Sequence, residues 1–366
     1  MALIAVEIVA RLAFDFPTID TMRPHSTRYG AEMWVDHPFL PYVGRGGLEL
    51  VGVQDAGDDT VLTELRTNAF GFRTHEFPTA PKAPDEFRVF CLGGSTTLGA
   101  AAESAADTWP GLLEARLASR YPDLDVRVYN LGMSGASTAF SVVNAALLVA
   151  HMEPDLVIVY QGYNDAGPIG RPDYRDDHAH FFRDLDLEGS WPGVQRSLPR
   201  WLFASWALSY VTFRMDQHLE MHAMPTYTQT DGDLWWPATQ EGLDRRWRRG
   251  WRHLETIAAI ADGAGARALF STFQFFDGDD SSRTTVNRTL RALFAERGYD
   301  YVDIDAAIEN GRRDLQWDQC HFTRAGRELV AGLFFEHIER AGWLDRVATG
   351  GGGAATGEGG VAAAEG

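Results

Sequence analysis

The chain predicts an α/β protein: a central parallel sheet of five strands with helices on both faces, an inserted cap, and an irregular N-terminal arm. Three observations carry this. From about residue 87, short apolar runs alternate with segments of helical spacing, a pattern that builds a parallel sheet covered on both sides. The run 155–160, Asp-Leu-Val-Ile-Val-Tyr, has few polar residues, as a strand buried on both faces requires. Three of the apolar runs end directly in polar or glycine-bearing strings, at the carboxyl ends of strands where open α/β sheets gather ligand sites.

Taken in order, the first strand covers 87–92 and is closed by Gly93 and Gly94. Residues 104–120 place Trp109, Leu112, Leu113 and Leu117 at helical spacing. Strand 126–129, helix 137–151 and strand 155–160 follow. After a long interruption the pattern resumes with helix 242–264, strand 266–272, helix 284–298 and strand 301–304. An amphipathic helix over 323–342 closes the domain, with the Thr323 hydroxyl placed to cap it.

The α/β domain is thus expected over 83–345, with the interruption, about 166–241, as a partly helical cap over the strand ends. The cap contains Trp191, Trp201, Trp206, Trp235 and Trp236, which suit either a binding surface or simple core packing. Residues 17–82, rich in proline, glycine and aromatics, read as an irregular arm wrapped on the sheet, and 346–366 as a flexible Gly/Ala-rich tail. Residues 1–16 are apolar apart from Glu7, Arg11 and Asp15, too short and too charged to span a bilayer, which takes about 20 apolar residues. They form either an amphipathic surface helix with Glu7 and Arg11 paired one turn apart, or the trailing end of a membrane anchor. The second reading implies membrane association through the N-terminus, and the sequence leaves both open.

The 366 residues are 45% hydrophobic and 23% charged, the profile of a soluble globular protein. A formal net charge of −18 argues against nucleic-acid partners. The basic run Arg245-Arg246-Trp247-Arg248-Arg249 reads as the solvated face of a helix. Two cysteines make no disulfide framework; the fold brings Cys91 and Cys320 into one neighbourhood, as two buried thiols rather than a bridge.

Four strings carry the chemistry: Gly93-Gly94-Ser95-Thr96-Thr97, Asn130-Leu131-Gly132, Gly162-Tyr163-Asn164-Asp165 and Asp318-Gln319-Cys320-His321. A neutral serine attacks poorly unless a base lies within hydrogen-bond reach and a third group holds that base. Ser95, at a strand-to-helix turn, is the candidate nucleophile; His321 is the candidate base and Asp318 its partner. The amides of Ser95 and Gly132 and the side chain of Asn164 are the candidate donors to an oxyanion. Singly, each string has an ordinary reading: a backbone cradle for phosphate, an Asn-Asp turn, a satisfied Asp-His pair. Jointly they favour catalysis, because a phosphate cradle requires neither Asn164 nor the Asp318/His321 pair.

At these residues the chain resembles the SGNH, or GDSL-type, hydrolases over about residues 87–340. The resemblance implies a flavodoxin-like α/β/α fold, an esterase with no metal or organic cofactor, Ser95, Asp318 and His321 as a triad, and Ser95, Gly132 and Asn164 as an oxyanion hole. The expected substrate is an ester carrying an O-acetyl or other short acyl group on a carbohydrate or small molecule. An O-acyltransferase using the same triad and a non-catalytic phosphate or flavin binder stand as alternatives. The string Thr67-Asn68-Ala69-Phe70-Gly71-Phe72-Arg73 and the apolar start look like the front of bacterial members anchored to the cell envelope, so an envelope or periplasmic location is expected, with the cytoplasm left open. One departure is visible: Gly94 stands where the name-giving motif has aspartate.

Other motifs are poorer. No Gly-x-Ser-x-Gly elbow is present. His218 and His222, one turn apart, lack a correctly placed glutamate for a zinc protease, and adding His178 and His180 supplies no third ligand at suitable spacing, so no metal site is expected. Asp277-Gly-Asp-Asp280 reads as a turn.

Overall fold

The computed structural model describes residues 2–13, 33–35, 37, 39–40, 42–56, 59–170, 176, 178, 205, 207–208, 210–211, 240–275, 280–308 and 312–345. Helix α1 (Ala2–Ala13) opens the chain, and its Glu7 and Arg11 pair across one turn at 2.8 Å. Glu7 also accepts from the Ser205 hydroxyl (2.9 Å) and the Ala207 N–H (3.1 Å). Val6, Ile8, Val9 and Leu12 of α1 are exposed, and among the described residues no helix is long and apolar enough to cross a membrane.

The arm is more regular than its sequence suggests. β1 (Trp34–Val35) pairs antiparallel with β2 (Val43–Gly44), and β3 (Glu49–Ala56) with β4 (Asp59–Arg66) along their whole length. Thr63 and Leu65 are buried while Val51 is exposed, so the hairpin has one packed and one solvated face. The string 67–73 that follows is a clamp. Asn68 Oδ1 accepts the N–H groups of Phe70 and Phe72, each at 3.0 Å. Buried Arg73 donates to the carbonyls of Glu64 (2.6 Å), Gly99 (2.8 Å) and Ala102 (2.9 Å), tying β4 to the turn beyond Ser95.

The main domain runs β5 (Glu86–Gly93), α2 (Ser95–Leu98), α3 (Trp109–Arg120), β6 (Asp125–Gly132), α4 (Thr138–Leu147), β7 (Leu156–Tyr160) and α5 (Ala166–Gly170). It continues with α6 (Gln240–Gly250), α7 (Arg252–Gly263), β8 (Arg267–Ser271), α8 (Asp280–Arg297), β9 (Tyr301–Val302), α9 (Ile304–Ala307) and α10 (Arg324–Ala341). The five strands are all parallel in the order β6-β5-β7-β8-β9, the flavodoxin-like order in which the chain first steps outward from β5 and then returns past it. Gly93 is in register with Gly132 on one side and Tyr160 on the other. The three strings therefore leave the sheet at the same level, around the switch point.

Strands β5 and β7 are almost wholly buried, because helices cover both faces: α3 packs on α10, and α4 on α7. Trp109 stacks on Phe334 at 4.8 Å, joining α3 to α10. Thr108 caps α3 by accepting the Gly111 N–H at 3.2 Å, with Pro110 in the first turn. Thr323 caps α10 as expected, accepting from Gly326 at 3.3 Å, and Gly342 ends that helix in the left-handed region.

The expected helix over 242–264 is two helices, broken at Trp251. Trp247 and Trp251 are both fully buried with rings 5.0 Å apart, and the Trp251 indole N–H donates to Thr289 Oγ1 on α8 at 2.9 Å. The basic run behaves as a solvated face: Arg245, Arg248 and Arg249 are exposed around buried Trp247, and Arg249 pairs with Asp176 at 2.6 Å. Most of the cap, including its five tryptophans, His180, His218 and His222, lies outside the described residues, as do 277–279 and the tail from 346.

Candidate active site

β5 ends at Gly93; Gly94 takes an extended conformation, and Ser95 is the first residue of the short helix α2. At that position the Ser95 N–H has no intrahelical acceptor, and none of the described residues accepts it. A Cβ added at Gly94 would stand 2.5 Å from Asn164 Nδ2, so the Asn164 amide lies close beside the serine turn.

The fourth string folds as a tight loop whose ends are joined by a Gln316–Phe322 bridge and by the Trp317 N–H donating to the His321 carbonyl at 2.9 Å. Inside it, Asp318 Oδ1 accepts the backbone N–H groups of Cys320 (3.0 Å) and His321 (2.9 Å), which fixes the carboxylate. Asp318 Oδ2 accepts from His321 Nδ1 at 2.6 Å, and His321 Nε2 lies 2.7 Å from Ser95 Oγ. Burial acting alone would raise the Asp318 carboxyl, but the His321 hydrogen bond and charge and the two backbone donors prevail and hold it at about 2. The ring therefore keeps its proton on Nδ1 and presents a lone pair to the serine hydroxyl. Such a chain can take the hydroxyl proton as the oxygen attacks an electrophile.

Asn164 joins this group at the end of β7, its Nδ2 donating to the Ala136 carbonyl at 2.9 Å while lying against Gly94. Gly132 does not present its amide in the same way. Its N–H donates to Asn130 Oδ1 at 2.9 Å, in a buried bond, and the Asn130 amide in turn donates to the Thr97 carbonyl at 2.8 Å. An added Cβ at Gly132 would collide with the Thr97–Leu98 backbone, so this glycine permits close packing of α2 on β6. Gly135, at φ 71, lies in the loop beside Ala136, and no described residue accepts its N–H. The Gly132 amide, expected as an oxyanion donor, is thus taken up within the structure, whereas the Gly135 N–H has no acceptor among the described residues. Two glycines so close together are indistinguishable in sequence, because only backbone orientation separates an amide that is spent in the sheet end from one that is available.

Around these groups stand aromatic side chains. Trp317 lies 5.8 Å from the His321 ring, and Tyr163 donates its hydroxyl to Gln319 Oε1 at 3.0 Å while packing on Phe273 and Phe275. Burial pushes the Tyr163 hydroxyl up to about 12. Cys91 and Cys320 are both free and buried, and burial raises both thiols, which disfavours the thiolate that a nucleophile or metal ligand must be. Among the described residues, the side chains close enough together to share one ion are Asp318, Cys320 and His321, the same atoms that join Ser95. His178 is instead buried against Ser137 Oγ, with its Nδ1 at 3.0 Å.

No curated protein sequence matches the chain. Solved structures similar to it include an α/β hydrolase enzyme from the metagenome of Lake Arreo, Spain, at 16% identity and a TM-score of 0.41, covering 69% of this chain and 95% of that one. A lipase/acylhydrolase from Enterococcus faecalis matches at 16% identity and a TM-score of 0.42, covering 70% of this chain and 96% of that one. An acetylxylan esterase from Geobacillus stearothermophilus matches at 16% identity and a TM-score of 0.39, covering 69% and 94%. The sequence profile of the GDSL-like lipase/acylhydrolases matches residues 91–329, well over half the chain and the whole span from β5 into α10. The chain therefore belongs to the GDSL-like lipase/acylhydrolase family, and is a hydrolase acting on esters.

Proposed function

We propose that Ser95, His321 and Asp318 are a catalytic triad that removes an O-acetyl or other short acyl group from a carbohydrate or small-molecule ester through an acyl-enzyme on Ser95. The observation that carries this is the continuous hydrogen-bonded chain, 2.7 Å from Ser95 Oγ to His321 Nε2 and 2.6 Å from His321 Nδ1 to Asp318 Oδ2. In the first half-reaction Ser95 Oγ bonds to the carbonyl carbon as its proton passes to Nε2. The imidazolium is held by Asp318, and its Nε2 proton then goes to the departing alcohol oxygen as that C–O bond breaks. Water repeats the sequence on the acyl-enzyme, releasing the carboxylic acid and restoring the serine.

The negative oxygen of each tetrahedral intermediate is assigned to the Ser95 N–H, the Asn164 amide and the Gly135 N–H, with Gly132 excluded because its amide is committed to Asn130. The carbohydrate reading of the leaving group is supported by the aromatic side chains beside the triad, Trp317 at 5.8 Å from the His321 ring and Tyr163 bonded to Gln319, since aromatic rings suit sugar rings. Turnover of p-nitrophenyl acetate by wild type and by Ser95→Ala tests the proposal. Loss of turnover to the uncatalysed rate is expected, and retention of full turnover by Ser95→Ala overturns it. Adding a sugar acceptor separates the hydrolase from an acyltransferase, since only the latter forms acylated sugar at the expense of free acid.

A further inference from the structure

Behind the proposed oxyanion donors lies a buried polar cluster that the triad does not use. Asp165, next to Asn164, is wholly buried, and its Oδ1 accepts both the backbone N–H (3.0 Å) and the hydroxyl (2.6 Å) of Thr138. Thr138 is the first residue of α4, and the preceding Ser137 makes no capping bond because its hydroxyl meets His178 Nδ1 at 3.0 Å. Asp165 thus takes over the role of the helix cap, with its charge placed favourably at a helix N-terminus. On the other side of Thr138, Oγ1 lies 2.8 Å from His253 Nδ1 on α7. A hydroxyl has a single proton, and the 2.6 Å contact gives it to Asp165; His253 Nδ1 must then carry a proton and donate it to Thr138. The His178 and His253 rings meet edge to face at 4.9 Å, so a cap residue in the left-handed region closes the cluster.

The position of this cluster matters for chemistry. Thr138 sits two residues after Ala136, whose carbonyl orients the Asn164 amide, and three after Gly135. Asp165 therefore holds both ends of the donor group: it adjoins Asn164 in the chain and grips the loop that Asn164 bonds. We infer that Asp165, acting through the Thr138 hydroxyl and backed by His253, is a positioning residue that sets the 135–138 loop against Asn164 for stabilisation of the oxyanion. The inference rests on the triad reading above. Burial pushes the Asp165 carboxyl up to about 7, against the lowering effect of the Thr138 bonds.

The test uses Thr138→Val, which keeps the shape of the side chain and removes the hydroxyl, with Thr138→Ser as the conservative rescue and Asp165→Asn beside them. Turnover of p-nitrophenyl acetate is measured per active site, counted by fluorophosphonate titration, so that a smaller folded fraction does not register as slower chemistry. A misplaced transition-state donor lowers kcat and leaves KM alone. The expected result is a kcat per labelled site reduced roughly ten- to a hundredfold in Thr138→Val with KM within about twofold, and recovery to within roughly threefold in Thr138→Ser, as one weakened oxyanion donor requires. Asp165→Asn falls between wild type and Thr138→Val, since its amide oxygen still accepts from Thr138. Wild-type kcat per site in Thr138→Val overturns the positioning role while leaving the triad standing. Wild-type protein that neither turns over ester nor labels at Ser95 removes the triad reading and this inference with it.

Discussion

Asp318→Asn is expected to damage the enzyme more than Asp318→Ala, although asparagine is the closer mimic. Asp318 Oδ1 accepts two backbone N–H groups at 2.9 and 3.0 Å. An asparagine here must place its oxygen on those donors, because the reverse orientation gives up two hydrogen bonds, each worth about 1 kcal/mol, and sets NH2 against N–H. Its NH2 then faces His321 Nδ1, where the carboxylate now accepts at 2.6 Å. The ring must accept at Nδ1 and carry its proton on Nε2, so the nitrogen 2.7 Å from Ser95 Oγ can no longer take the serine proton. The same wrong-tautomer substitution in serine proteases costs about ten-thousandfold in kcat, or about 5 kcal/mol of barrier. Alanine imposes no tautomer, and with Asp318 47% exposed, water can occupy the space it leaves. The assay is kcat/KM for p-nitrophenyl acetate at mildly alkaline pH. An Asp318→Asn enzyme within tenfold of wild type, or more active than Asp318→Ala, refutes the reasoning.

Asn164→Ala removes a proposed oxyanion donor and should lower kcat by about 10²- to 10³-fold with little change in KM, read by steady-state kinetics; a purely KM effect contradicts the role. Gly132→Ala should fail as a fold rather than as a catalyst, because its Cβ strikes the Thr97–Leu98 backbone; thermal unfolding checks this, and a normal melting temperature with lost activity would instead return the oxyanion role to Gly132. Asp165→Asn should alter the pH dependence of stability. The folded-state carboxyl is raised from 3.8 to about 7, so the folded protein binds the proton more tightly and stability falls as pH rises across that window. At about 1.4 kcal/mol per unit this amounts to at most about 4 kcal/mol, and denaturant unfolding should show the slope in wild type and its loss in Asp165→Asn. The depressed Asp318 works in the opposite direction: its contribution to stability is present above 3.8 and is lost as pH falls toward about 2.

Much of the site could be read from residues because each string follows an apolar run, and parallel strands in register deliver their ends to one level. Gly93, Gly132 and Tyr160 occupy that level together, so the strand ends alone bring Ser95 and Asn164 to the same edge of the sheet. The Asp318-x-x-His321 spacing was equally legible, since a loop that short brings the carboxylate to the ring nitrogen. What stayed hidden depends on orientation and on partners far away in sequence. Gly132 and Gly135 look alike in sequence, yet the amide of Gly132 is turned onto Asn130. The apolar spacing of 242–264 continues through Trp251, so the break there, where the indole N–H reaches Thr289 Oγ1, leaves no mark in that spacing. The β3–β4 hairpin is not legible in the sequence because its inner face is closed in part by Thr63 rather than by a continuous apolar stripe. The Asp165 cluster draws on residues 137, 138, 165, 178 and 253, which no local pattern connects.

The central claim is that the hydroxyl of Ser95 is activated by His321, and active-site labelling with a fluorophosphonate, mapped by peptide mass spectrometry, tests it most directly. The account predicts one adduct per chain on Ser95, none in Ser95→Ala, and labelling of Ser95 slowed by orders of magnitude in His321→Ala. An esterase-active protein that leaves Ser95 unmodified, or labels it at the same rate without His321, would contradict it.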